Sequence, residues 1–174
     1  ADCMLSGYSK SYPSVFIPLI NSIGKAPGVE KVAATNLMIT KQGQLFCSDT
    51  SLNINPSYNE IAKIAVNTAK IVNMFGIEPV IAILSYSNFG SSTGKTSIKM
   101  SKAINIIRKL DPSIVVDGEM QANFAVDNDL LKEQFPFSDL VGKGANIFVF
   151  PGLSSANISY KLLQSMGGVE AVGP

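Results

Sequence analysis

Val80-Ile81-Ala82-Ile83-Leu84 runs directly into Ser85-Tyr86-Ser87-Asn88-Phe89-Gly90-Ser91-Ser92-Thr93-Gly94-Lys95-Thr96. A helix-patterned segment, Ser97 to Leu110, follows with Met100, Ala103, Ile104 and Ile107 on one face and Asp111-Pro112 as its stop. An unbroken apolar run bounded by turn residues reads as a strand buried on both sides. A loop of glycine and serine opening a helix offers unpaired backbone N–H groups and hydroxyls to a ligand, and the helix dipole there favours negative charge.

Working outward, the same alternation recurs. Ser9 to Ile23 carries Val15, Phe16, Leu19, Ile20 and Ile23 at helical spacing, opened by Pro13 and closed by Gly24. Lys31 to Thr40 and Gln44 to Ser51 are strand-like, and Lys41-Gln42-Gly43 reads as a hairpin turn between them. Ser57 to Phe75 is an amphipathic helix, with Asn55-Pro56 read as its N-cap and first-turn proline. Beyond the central unit, Ile114 to Val116 is a short strand ending in Asp117-Gly118-Glu119-Met120-Gln121, and Asp127 to Phe135 is a short helix. Asn146 to Phe150 is a further strand, and Ser154-Ser155 cap a helix that runs through Met166 to Gly167-Gly168. Strands alternating with helices at this spacing predict a single α/β unit, a mainly parallel sheet covered by helices on both faces.

Composition narrows the chemistry. Of 174 residues, 14 are Lys or Arg and 13 Asp or Glu, so a formal charge of +1 leaves no basic footprint for nucleic acid or anionic membrane. The absence of histidine removes Ser-His-Asp and Cys-His catalysis and histidine metal sites together. Arg108 is the sole arginine and is read as solvated on a helix face, which argues against a bidentate arginine clamp. Cys3 and Cys47 lack CxxC spacing and read as core thiols of a reducing, cytoplasmic compartment. No apolar run is long enough to span a bilayer. The opening without Met and the close at Gly173-Pro174 after a strand-like run read as the ends of a piece of a longer chain.

The loop comes near the phosphate-binding P-loop pattern, but Gly90 and Gly94 are one residue too close and Phe89 stands where the first glycine belongs. A tight turn around a β-phosphate is therefore not expected. Gly142-Lys143-Gly144 precedes a strand and is no dinucleotide turn. In a mainly parallel sheet ligands gather beyond the carboxyl ends of the strands, where Ser85 to Thr96, Asp117 to Gln121 and Pro151 to Asn157 would share a rim. Ser87, Asn88, Gly90, Ser91, Ser92 and Lys95 are the candidate contacts to a phosphate-bearing ligand, with Asp117, Glu119, Gln121 and Asn157 as rim supports. Asp117 and Glu119, two apart in an extended turn, invite an acid–base or metal reading, but a bracket for backbone N–H groups is favoured. Asn157 reads as a cap or backbone tie. No catalytic or metal-ligating residue is assigned.

Ser87-Asn88-Phe89-Gly90-Ser91, Val116-Asp117-Gly118-Glu119-Met120-Gln121-Ala122, Phe135-Pro136-Phe137-Ser138 and Ser155-Ala156-Asn157-Ile158-Ser159-Tyr160-Lys161-Leu162-Leu163 together resemble the phosphate acetyl/butyryl transferase family over essentially the whole chain. The Ser-Asn-Phe-Gly-Ser form of the loop is similar to the phosphotransacetylase-like C-terminal domain of bacterial NADP-dependent malic enzymes. The opening residues to Gly7 and Leu45 to Thr50 agree with this. The resemblance implies the second lobe of a three-layer α/β/α fold of the isocitrate/isopropylmalate dehydrogenase type. It further implies acetyl-CoA or CoA as ligand, a homodimer formed through this lobe, and a higher homo-oligomer in the parent enzyme. NADP and a divalent metal would act in other domains, with no cofactor in this chain. Active transferases of the family are expected to carry an arginine before the proline of the first helix, where this chain has Ile17 before Pro18. The remaining catalytic residues would lie beyond Pro174. A regulatory, ligand-sensing role is therefore implied, with active acyl transfer between CoA and phosphate as the alternative.

Overall fold

The computed structural model describes residues 4–7 and 9–174, so Cys3 lies outside the described residues. The chain divides into two compact units, residues 1–32 and 33–174. In the first, α1 (Tyr12–Ile23) starts with a proline in its first turn and continues through Pro18. None of its residues is buried, and Ile17 is exposed.

The second unit holds β1 (Thr35–Thr40), β2 (Gly43–Ser48), α2 (Tyr58–Met74), β3 (Val80–Leu84), α3 (Lys95–Leu110), β4 (Val115–Met120), α4 (Ala122–Val126), α5 (Asn128–Gln134), β5 (Ile147–Val149), α6 (Leu153–Met166) and β6 (Glu170–Val172). Six strands form one sheet in the order β4-β3-β5-β2-β1-β6. β2, β5, β3 and β4 are mutually parallel, and β1 runs antiparallel between β2 and β6. The antiparallel β1–β2 pair is the expected hairpin, with Thr40 opposite Gly43.

The two-residue period of the strands sorts the core into two layers. Ile81 and Ile83 of β3, with Ile147 and Val149 of β5, pack under α2 and α3 against Ile61, Ala65, Met100 and Ile107. Val80, Ala82 and Leu84, with Phe148 and Phe150, face Ala125, Leu131, Ala156 and Tyr160 on the other side. All five residues of β3 are buried, as a strand covered by helices on both faces requires. Helices on both faces of a mainly parallel sheet make the expected three-layer α/β fold.

Three local expectations are corrected. The N-cap of α2 is Ser57, not Asn55-Pro56: Ser57 Oγ accepts from the Glu60 N–H and the Glu60 carboxylate accepts from the Ser57 N–H. This capping box satisfies two otherwise unpaired donors, which a proline cannot do. The strand after Ile114 continues to Met120, so Asp117 and Glu119 are strand residues and not loop residues. The segment 122–126 is helical, ahead of the short helix expected from Asp127; five residues are too few to show a periodic signal.

Candidate functional site at the strand ends

Because β2, β3, β4 and β5 are parallel, their carboxyl ends share one rim. On leaving β3 the chain is held from below by β4: the Ser85 N–H donates to Met120 O at 2.8 Å and the Phe89 N–H to Glu119 O at 2.7 Å. Phe89 adopts φ 46° and Gly90 φ 84°. A non-glycine residue thus takes the left-handed conformation at the position where the P-loop pattern has glycine. A left-handed non-glycine residue costs on the order of 1–2 kcal/mol, and Phe89 offsets this by packing edge and face against Phe135 and Phe137, with centroids 4.8 and 5.1 Å away.

Glu119 closes the loop. Its Oε1 accepts from the Gly90 N–H at 2.9 Å, Ser97 Oγ at 2.8 Å and Ser87 Oγ at 3.2 Å, linking loop, helix and strand exit at one atom. Only 1% of Glu119 is exposed, yet no cation touches it among the described residues. Ser87 is buried beside it and donates to Ser97 Oγ at 2.8 Å. Asn88 and Gln121 are reciprocally bonded: Asn88 Oδ1 accepts from the Gln121 N–H at 2.7 Å, and Asn88 Nδ2 donates to Gln121 Oε1 at 3.1 Å. Ser91 Oγ accepts from the Asn88 N–H, and Ser92 Oγ from the Gly94 N–H. The N–H groups of residues 88, 89, 90, 91 and 94 are therefore committed within the protein. Lys95 remains exposed in the first turn of α3, whose N-cap, Gly94, has no capping side chain.

Asp117 does not join Glu119. Ile83 pairs with Gly118 but Leu84 pairs with Met120, so the strand bulges and Glu119 is an extra residue. Asp117 accepts from Ser138 Oγ at 2.8 Å and the Asp139 N–H at 3.0 Å, in the segment before β5, and meets α3 only at its far end through Arg108, while Glu119 accepts from Ser97 in the first turn of α3. Gly118 makes this possible: it has φ 134°, and a Cβ there would lie 2.6 Å from Ile83 O. Each carboxylate brackets a backbone N–H, Asp117 that of Asp139 and Glu119 that of Gly90. Arg108 is likewise not simply solvated, since one guanidinium nitrogen reaches Asp117 at 3.3 Å, Asp139 at 2.9 Å and Val116 O at 3.0 Å.

The rim contains parts that the sequence reading missed. Beyond β2, the buried Asp49 carboxylate collects the N–H groups of Ala34, Ser51, Leu52 and Asn53. An Asp followed by small polar residues is the local signal for such a turn. Asn157 Nδ2 donates to Thr50 O at 3.3 Å, a backbone tie between α6 and this turn. Lys99 crosses to the β5 exit, donating to Pro151 O at 2.7 Å and Asn55 Oδ1 at 3.0 Å; partial burial lowers its pKa. Cys47 is buried below the rim, and burial pushes its thiol up to about 12. Among the described residues no three His, Cys, Asp or Glu side chains converge to hold a metal, and no helix is long and apolar enough to cross a membrane.

A three-layer α/β lobe with its polar loops gathered at the carboxyl ends of parallel strands defines the class to which the molecule belongs. Within that class, the chain is a member of the phosphate acetyl/butaryl transferase family, which it matches over residues 1–174. It is 38% identical to the NADP-dependent malic enzyme of Haemophilus influenzae, covering 100% of this chain and 23% of that protein. It is 35% identical to the phosphate acetyltransferase of Bacillus subtilis, covering 100% of this chain and 54% of the relative. Among solved structures, a phosphotransacetylase from Streptococcus pyogenes superimposes with a TM-score of 0.92 at 36% identity, over 100% of this chain and 53% of the other. The chain thus spans about a quarter of the malic enzyme and about half of the transferases.

Proposed function

We propose that this chain is a ligand-sensing, non-catalytic lobe that binds acetyl-CoA or CoA in a malic enzyme. Malate oxidation and decarboxylation, with NADP and a divalent metal, would take place in other domains. The carrying observation is where the cations stand. Arg108 lies 13 positions after Lys95 on α3, about 20 Å along the helix at 1.5 Å per residue, and two carboxylates hold it there. Acyl transfer to phosphate needs positive charge at the acyl phosphate. Within the second unit, among the described residues, Lys95 is the cation the loop itself offers, Lys99 being engaged with Pro151 and Asn55. Ile17, where an arginine is expected from the family resemblance, supports the same reading.

In this reading Ser91, Ser92 and Lys95 meet the ligand, and Ser87, Asn88 and Gly90 shape the loop above Glu119 and Gln121. Homodimerisation through this lobe is part of the proposal, with light scattering as its check. Calorimetry on the full-length protein should give acetyl-CoA binding, and an acetyl phosphate assay should give no product. Absence of binding overturns the proposal. Clear turnover replaces it with phosphate acyl transfer, the second reading, which the 35% identity to a phosphate acetyltransferase supports.

A further inference from the structure

The hydroxyls beneath the loop form a chain with a forced direction. A carboxylate oxygen only accepts, and a serine has one proton to donate. Ser97 Oγ donates to Glu119 Oε1 at 2.8 Å. Ser87 Oγ donates to Ser97 Oγ at 2.8 Å, with Glu119 Oε1 at 3.2 Å as its other acceptor, so either way its proton points inward. Ser85 Oγ lies 3.3 Å from Ser87 Oγ, the longest link. The only proton left for that link belongs to Ser85. Ser85 stands half-buried at the exit of β3, and its N–H is committed to Met120 O. With its proton spent on that link, what Ser85 has left for any other partner is its lone pairs.

We infer that Ser85 is a specificity-determining residue: a hydroxyl polarised by Glu119 through Ser87 and Ser97, which accepts from neutral ligand donors and turns away anionic oxygen. The ligand part that fits is an amide N–H or hydroxyl, as in the pantetheine arm of coenzyme A. The inference rests on the CoA reading and deepens it, placing the amide-bearing arm and not a phosphate at the β3 exit. Two further observations agree. The N–H groups of residues 88 to 91 are already committed, so this half of the loop is no phosphate cradle. The buried Glu119 carboxylate, touched by neutral donors alone, makes the potential there unfavourable to an anion.

The test titrates the full chain with pantetheine and, separately, with inorganic phosphate, in the wild type, Ser85→Ala and Glu119→Gln. Losing one neutral hydrogen bond should weaken pantetheine binding about 3- to 10-fold in Ser85→Ala and leave phosphate binding unchanged. Glu119→Gln, whose amide can donate and reverse the chain, should weaken pantetheine similarly and strengthen phosphate. Unchanged pantetheine affinity in both variants, or an equal loss for phosphate in Ser85→Ala, overturns the inference. If the wild type takes up neither pantetheine nor acetyl-CoA, the CoA reading fails by itself. The serine hydroxyl proton resonances then decide the chain: donation from Ser87 to Ser97 upholds the direction, and the reverse overturns it.

Discussion

Asp117 and Glu119 are two residues apart on one strand and do different work. Asp117 is largely buried, its side chain 13% exposed, but it has a cation beside it that opens to solvent: the side chains of Arg108 and of Asp139, which shares that arginine, are 45% and 62% exposed. Glu119 is buried, has no cation, and is satisfied by two hydroxyls and one backbone N–H. The first arrangement joins α3 to the segment before β5 through charges that water largely screens. The second fixes the loop after β3 from a buried carboxylate, so removing it takes an acceptor from the buried Ser87 and Ser97 hydroxyls and from the more exposed Gly90 N–H at once. What separates them is a single bulged residue pair at Gly118.

Gly118→Ala attacks the comparison at its root and should have the largest effect. A Cβ 2.6 Å from Ile83 O at φ 134° should cost more than about 3 kcal/mol, combining a backbone clash with a forbidden dihedral. Urea unfolding measures it; a near-neutral result would mean that the bulge does not depend on glycine. Glu119→Ala should cost about 3 kcal/mol, because unmet buried donors cost about 1–3 kcal/mol each and some relax. Amide exchange at Gly90 should then rise well above that of β3, and equal rises would make Glu119 a general core residue.

An alkaline titration separates both carboxylates from the thiol beneath the rim. Cys47 has its pKa raised from 9.0 to about 12 in the folded state. Its stabilising contribution is therefore complete below pH 9 and is lost as pH rises toward 12, at about 1.4 kcal/mol per pH unit. Cys47→Ala should flatten that part of the stability curve by this amount, and superimposable curves would contradict it. Asp139→Asn should be mildest, below about 1 kcal/mol and smaller still in high salt. A loss matching that of Glu119→Ala would erase the distinction between the two clusters.

Much of this was legible in the residues. Val80 to Leu84 matches β3 residue for residue, since an apolar run between turn signals has few alternatives. The α2 and α3 stripes place Ile61, Ala65, Met100 and Ile107 in the core as spacing requires. The candidate contacts do collect at the β3 exit, but Ser87 is buried and Asn88 is occupied by Gln121, which no local pattern reveals. Lys99 went unread because its partners, Pro151 and Asn55, are distant in sequence, whereas Asp49 carried a local turn signal in Ser51 to Asn53 that was passed over and only its tie to Ala34 is long-range.

The order of strands and helices, the shortage of arginine and the lack of histidine are determined by the sequence alone, because propensity, periodicity and inventory are local or additive. The separation of Asp117 from Glu119, the left-handed Phe89 and the direction of the serine chain were decided by the tertiary structure. Each depends on a contact between segments that meet only when the sheet forms, so no short stretch of chain contains it.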